Sequence, residues 1–198
     1  RAGTAGRSRR SPDRRIKNDG TLKIQGTASN PVVFTSIHDD TVGGDTNGNT
    51  DATNPTINDW IGIQSSTGSI TATQLKVRYA NSISSSSGSV DIANSDLPNT
   101  SWSSYQDGAL LRLVNNTVNG TIRADQRANV SGNITIEDNQ VQAGDNDEGI
   151  TVYTDSDRTS ALLILKNNTV TGGDRSYDIH AQRFTPSNLT GNTAVGSK

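Results

Sequence analysis

Apolar residues alternate with polar ones in short runs along this 198-residue chain, and the runs return. One run reads apolar-x-apolar, then Asn, then an apolar residue. It occurs as Leu111-Arg-Leu113-Val-Asn-Asn116-Thr-Val118, as Ile134-Thr-Ile136-Glu-Asp-Asn139-Gln-Val141 and as Leu163-Ile-Leu165-Lys-Asn-Asn168-Thr-Val170. A weaker copy is Leu189-Thr-Gly-Asn192-Thr-Ala194, and Leu75-Lys-Val77 and Val90-Asp-Ile92 read as degenerate ones. The four Asn residues fall 23, 29 and 24 positions apart. A second run is interleaved with the first: Thr121-Ile122-Arg123-Ala-Asp125, Thr151-Val152-Tyr153-Thr-Asp155 and Asp178-Ile179-His180-Ala-Gln182.

Two interleaved elements with one period are what stacked coils of short strands produce. Alternation turns Ile134 and Ile136 inward and Thr135 outward, because successive strand side chains point to opposite faces. One coil cannot bury such a face, but strands stacked about 4.8 Å apart bury it continuously. The pattern therefore predicts Val118, Val141 and Val170 in one inward column. Asn after each strand suits a turn repeated at one place, since Asn tolerates left-handed backbone, and stacked Asn side chains can bond one another. A helical reading fails: Gly, Asn, Ser and Thr crowd every window, and no stripe of period 3.6 is sustained. The expected fold is all-β, a right-handed parallel β-helix of about seven coils.

Composition narrows the picture. Only 30% of residues are hydrophobic and 4% aromatic, which is lean for a globule but suits a solenoid with a thin core. With no Cys there are no disulfides and no thiolate sites. No stretch is long and apolar enough to span a membrane, and a net charge of −2 gives nucleic acid no electrostatic purchase. Residues 1–17 form a basic terminal segment expected to lack regular structure, followed by the β-helix at 18–198 with a polar loop inserted at 38–59. The chain has no Met at its start and reads as part of a larger, processed protein.

The block from Gly20 to Ile63 resembles the opening module of secreted bacterial right-handed parallel β-helix repeat proteins. The resemblance rests on Gly26-Thr-Ala-Ser-Asn-Pro-Val-Val-Phe-Thr-Ser36, on Asp39-Asp-Thr-Val-Gly-Gly-Asp-Thr-Asn-Gly48 and on Asp59-Trp-Ile-Gly-Ile63, in that order. It implies the β-helix fold and an extracellular or cell-surface location. The family often carries Asp-Gly where this chain has Asn49-Thr50.

Candidate chemistry lies in two places. In the loop, Asp45, Asn47, Asn49 and Asp51 are spaced two apart like the oxygen ligands of a Ca²⁺ loop, with Gly43, Gly44 and Gly48 letting the backbone wrap. A structural Ca²⁺ is one expectation there, and an Asx-turn-rich loop without an ion is the other. Thr56 stands where an EF-hand needs Glu. In the second run, aligning Ile122, Val152 and Ile179 inward places Arg123, Tyr153 and His180 in one outward row. Asp125, Asp155 and Gln182 fall in the next. Such rows offer rings for sugar faces and charged groups for hydroxyls or uronates, so a polysaccharide or cell-surface glycan is the expected partner. A plain solvated column is the alternative. The leading function is a structural or adhesive module holding carbohydrate on one flank. A polysaccharide lyase or glycoside hydrolase is the competing one, with Arg123, Asp125 and Asp155 as catalytic candidates.

Overall fold

The computed structural model describes residues 14–50, 52–104, 108–127, 131–144, 147–158, 162–172, 179–184 and 187–195, without the side chains of 104, 155–158, 184 and 187. All strand pairing is parallel and falls into three sheets of seven strands. Sheet A comprises β1 (Arg15–Asn18), β4 (Trp60–Ser65), β7 (Ala80–Ser85), β10 (Asn99–Ser104), β13 (Ile122–Gln126), β16 (Ile150–Arg158) and β19 (Ile179–Phe184). Sheet B comprises β2 (Thr21–Gln25), β5 (Ser69–Thr73), β8 (Val90–Ala93), β11 (Leu111–Val114), β14 (Ile134–Glu137), β17 (Leu163–Lys166) and β20 (Ser187–Thr190). Sheet C comprises β3 (Val32–Phe34), β6 (Leu75–Val77), β9 (Asp96–Leu97), β12 (Thr117–Asn119), β15 (Gln140–Ala143), β18 (Thr169–Gly172) and β21 (Thr193–Val195). Each sheet gains one strand in every three, so the chain winds through seven coils as a parallel β-helix.

The period-2 alternation builds the core. In sheet B, Ile70, Val90, Leu111, Ile134 and Leu163 stack in register, each at most 5% exposed. In sheet C, Leu97, Val118, Val141 and Val170 form the expected inward column, each at most 1% exposed. Each such side chain contributes roughly 1.5–3 kcal/mol by leaving water. Where sheet A turns into sheet B, successive coils approach so closely that a Cβ on Gly88 would lie 1.6 Å from the Gly68 carbonyl oxygen. Only glycine fits that approach.

Between sheets B and C the chain turns through a residue pair with divided labour. The first member takes left-handed backbone: Gln74, Asn94, Asn115, Asp138 and Asn167 have φ between 52° and 56°, and Gly191 has φ 68°. The second, Asn116, Asn139 or Asn168, is buried to 2% exposure or less and carries the side-chain ladder. Sequence reasoning gave both tasks to the second residue. The structure separates them because one side chain cannot point into the core from a backbone that also reverses the chain.

Three more details differ from the sequence reading. Arg15, Ile16 and Lys17, placed there in the basic terminal segment, belong to β1 and pair with Gly62, Ile63 and Gln64; residues 1–13 lie outside the described residues. Leu75-Lys-Val77 is not a sheet B repeat. It pairs with Val32-Val-Phe34 in sheet C, while Ile70 and Ala72 occupy the sheet B positions of that coil. Finally, Ile122 pairs with Ile150, not Val152, and Val152 pairs with Ala124. The slip of two residues keeps every inward side chain inward, so the hydrophobic pattern alone cannot detect it.

Candidate functional site: sheet A, the long loop and a corner groove

The corrected register rearranges the outward rows of sheet A. One row runs Arg123, Thr151, His180 and the other Asp125, Tyr153, Gln182. Tyr153 is thus flanked by Asp125 and Gln182, and Thr151 stands between Arg123 and His180. Within β13 the Arg123 guanidinium donates from Nε to Asp125 Oδ2 at 3.0 Å. Thr151 donates its hydroxyl to Glu148 at 2.7 Å. Asp155 sits two positions beyond Tyr153 in β16, where the pairing with β19 becomes irregular, and its side chain lies outside the described residues. Asp125 and Asp155 are therefore not opposed across one coil step. The close carboxylate pair that a retaining hydrolase uses has no basis in this register. On β4, β7 and β10 the same face carries Gly62, Gln64, Ser82, Ser84, Ser101 and Ser103, and charge returns on it only at Arg15 and Lys17 of β1, so among the described residues Tyr153 and its charged neighbours stand apart in the last three coils.

The long loop is folded onto its own amides. Asp45 accepts the N–H of Asn49 at 3.0 Å and of Thr50 at 3.0 Å, and Asn47 Oδ1 accepts the same Asn49 N–H at 3.1 Å. The amide of Thr50, foremost among these, holds the Asp45 carboxyl below its ordinary range. Asn49 donates to Thr53, whose hydroxyl meets His38 Nδ1 at 2.9 Å. The side-chain oxygens of Asp45 and Asn47 are thus turned to N–H groups. Asn49 Oδ1 is buried without a hydrogen-bond partner, and Asp51 lies outside the described residues. Calcium takes six to eight oxygens, and these donors as arranged fit amides rather than that ion. Among the described residues no group of three or more His, Asp or Glu comes together to hold a metal.

Two carboxylates seat the loop on the first coils. The Asp39 side chain is fully buried; it accepts from Thr35 at 2.6 Å and from the Thr41 hydroxyl at 2.5 Å, with Arg78 at 3.9 Å. Asp59 accepts from Ser36 at 2.7 Å and from Thr56 at 2.6 Å. Burial pushes both carboxyls up, but the hydroxyl donors outweigh it and both lie below the ordinary carboxylate range.

A third feature escaped sequence reasoning. An open groove of about 510 Å³ lies at the corner between sheets C and A, lined by Ile57, Val77, Arg78, Tyr79, Ala80, Asp96, Leu97, Pro98, Thr117 and Asn119. It arises from a change in corner length. Five residues separate the inward Val77 and Ile83, but only two separate Leu97 and Thr100 in the next coil, so the surface steps down. The structure marks it at Tyr79, which takes φ 58°, a conformation that elsewhere among the described residues falls mostly to Asn, Asp or Gly. Among the described residues no helix is long and apolar enough to cross a membrane. Comparison of the chain with protein-family models, with curated proteins and with solved structures returns no match.

Proposed function

We propose that the protein is an extracellular or cell-surface structural module, a rigid β-helix that holds a polysaccharide or cell-surface glycan along sheet A. The observation that supports the reading is the pair of adjacent outward rows, Arg123–Thr151–His180 and Asp125–Tyr153–Gln182, at single-coil spacing. A sugar chain laid across the coils meets the Tyr153 ring between a carboxylate and an amide. The ring stacks on a pyranose face while Asp125 and Gln182 bond its hydroxyls. The resemblance of the Gly20–Ile63 block to secreted bacterial β-helix proteins points the same way. A solenoid suits a stalk because each coil rests only on its neighbours, and length grows without change of cross-section.

The test is a glycan array run beside a reducing-end assay, first on the protein itself and then on Tyr153→Ala. Binding without release of reducing ends is expected. Removing the ring should weaken binding by about 1 kcal/mol or more at an unchanged melting temperature, because Val152 and Thr154 carry the inward contacts. Release of reducing ends would establish the lyase or hydrolase reading instead, and an array without a bound glycan would remove carbohydrate from the proposal.

A further inference from the structure

We infer that the corner groove beside Tyr79 is a binding site for a neutral saccharide, distinct from sheet A. The inference shares with the reading above the assignment to carbohydrate and differs in the face that carries it. Four observations converge.

The first is backbone conformation. A left-handed backbone is unfavourable for an ordinary residue, and apart from Gln74 the B-to-C corners meet it with Asn, Asp or Gly. At Tyr79 the same conformation carries an aromatic ring and directs it to the groove wall. Strain kept at a surface groove is a mark of function rather than packing.

The second is rigidity. The Arg78 N–H donates to the Phe34 carbonyl at 2.9 Å, and the Trp60 indole N–H donates to the Arg78 carbonyl at 2.9 Å. The backbone on which Tyr79 sits is thereby clamped to both the first sheet C strand and β4, so a ligand meets a site already formed.

The third is lining chemistry. Ile57, which is 80% exposed, offers apolar surface in the groove that Tyr79 lines, over the buried Pro98, while the exposed Asn119 and Thr117 offer amide and hydroxyl. An aromatic face with apolar flanks and a few hydrogen-bonding groups is what a pyranose needs, apolar on its faces and hydroxylated at its rim. The groove volume lies within the roughly 300–1,000 Å³ usual for small-ligand sites.

The fourth is charge. Arg78 faces Asp39 at 3.9 Å and Asp96 faces Lys76 at 3.5 Å. Both ions at the groove have counter-charges of their own, so an anionic sugar gains little there and a neutral one is favoured.

Saturation-transfer NMR and titration with maltose, cellobiose and digalacturonate test this on the whole chain. Tyr79→Asn is the informative variant, because Asn already serves at left-handed positions such as Asn94 and Asn115, so the corner keeps its shape. A neutral disaccharide should bind, and Tyr79→Asn should lower its affinity at least tenfold with the melting temperature unchanged. Asn119→Ala should lower it several-fold, and Tyr153→Ala should leave it untouched. Loss on Tyr153→Ala with no effect of Tyr79→Asn or Asn119→Ala would place the sugar on sheet A and overturn this inference alone. Tighter binding of digalacturonate, or no binding of either neutral disaccharide, would overturn it as well.

Discussion

Asn139 lies directly beyond Asn116 in the next coil, and its Oδ1 accepts both the backbone N–H and the side-chain N–H of Asn116, each at 3.0 Å. Asn168 repeats the relation with Asn139 at 3.1 and 3.0 Å, and Asn192 with Asn168 at 3.0 and 2.9 Å. Each amide also reaches back to the coil before: Asn139 Nδ2 donates to the Leu113 carbonyl at 2.9 Å and Asn168 Nδ2 to the Ile136 carbonyl at 2.8 Å. Toward the N-terminal end, the Ser95 backbone N–H donates to Asn116 Oδ1 and the Ser95 hydroxyl accepts from the Leu75 N–H, so a hydroxyl takes the accepting place where the amides stop.

Asn139→Ala should therefore destabilise the protein by about 3 kcal/mol or more, since each buried group left unpaired costs roughly 1–3 kcal/mol. It strands two Asn116 donors and the Leu113 carbonyl at once. Denaturant unfolding checks this, with Asn115→Gly, which removes an exposed outer-row amide and keeps the left-handed backbone, as the control. An equal loss for both variants would mean that the inner amides add nothing.

Among the described residues Trp102 is the one aromatic side chain in an inward column that otherwise holds Asn18, Ser65, Ser85, Ala124, Val152 and Ala181. It is 2% exposed and donates its indole N–H to the Gly88 carbonyl at 3.0 Å. Trp102→Ala should cost roughly 3–5 kcal/mol through the cavity it leaves. Trp102→Phe keeps most of the packing but leaves that carbonyl only the long 3.5 Å bond from the Ser85 hydroxyl, and about 1 kcal/mol should go. If both variants melt with the wild type, the centre of the solenoid is not where stability resides.

Acid should loosen the loop before the coils. Asp39 and Asp59 have carboxyls held below the ordinary range in the folded protein. Such groups stabilise fully above the unfolded carboxylate value of about 3.9, and that contribution is lost as pH falls through the folded values. Melting temperature should drop on going from about pH 5 downward, and Asp39→Asn should flatten the slope. A slope unchanged in Asp39→Asn would assign the acid sensitivity to other carboxylates.

Calcium gives the sharpest check on the loop. With Asp45 and Asn47 engaged by the amides of Asn49 and Thr50, melting curves in millimolar Ca²⁺ and in EDTA should coincide. An ion bound only by the native state raises the melting temperature. A rise with Ca²⁺ would show that the oxygens turn from the amides to the metal and that Asp51 or water completes the shell.

What the sequence determined by itself is whatever depends on parity and period. Alternation at Ile134, Thr135 and Ile136 settles which side chains face inward, because strand geometry has period two whatever surrounds it. The recurrence of Asn116, Asn139, Asn168 and Asn192 settles that the coils stack and that a polar ladder runs through their turns. Only the tertiary structure could decide the register of β13 on β16. A shift of two residues exchanges Ile150 for Val152 at the same inward position without burying a polar group, and the pairing follows from where the neighbouring coil sets the strand. That choice put Tyr153 beside Asp125 and Gln182 rather than beside Arg123 and His180. The groove at Tyr79 was beyond sequence for a similar reason. Ile57, Tyr79, Pro98 and Asn119 come from four successive coils, about twenty residues apart along the chain, and meet only because one corner is three residues longer than the next.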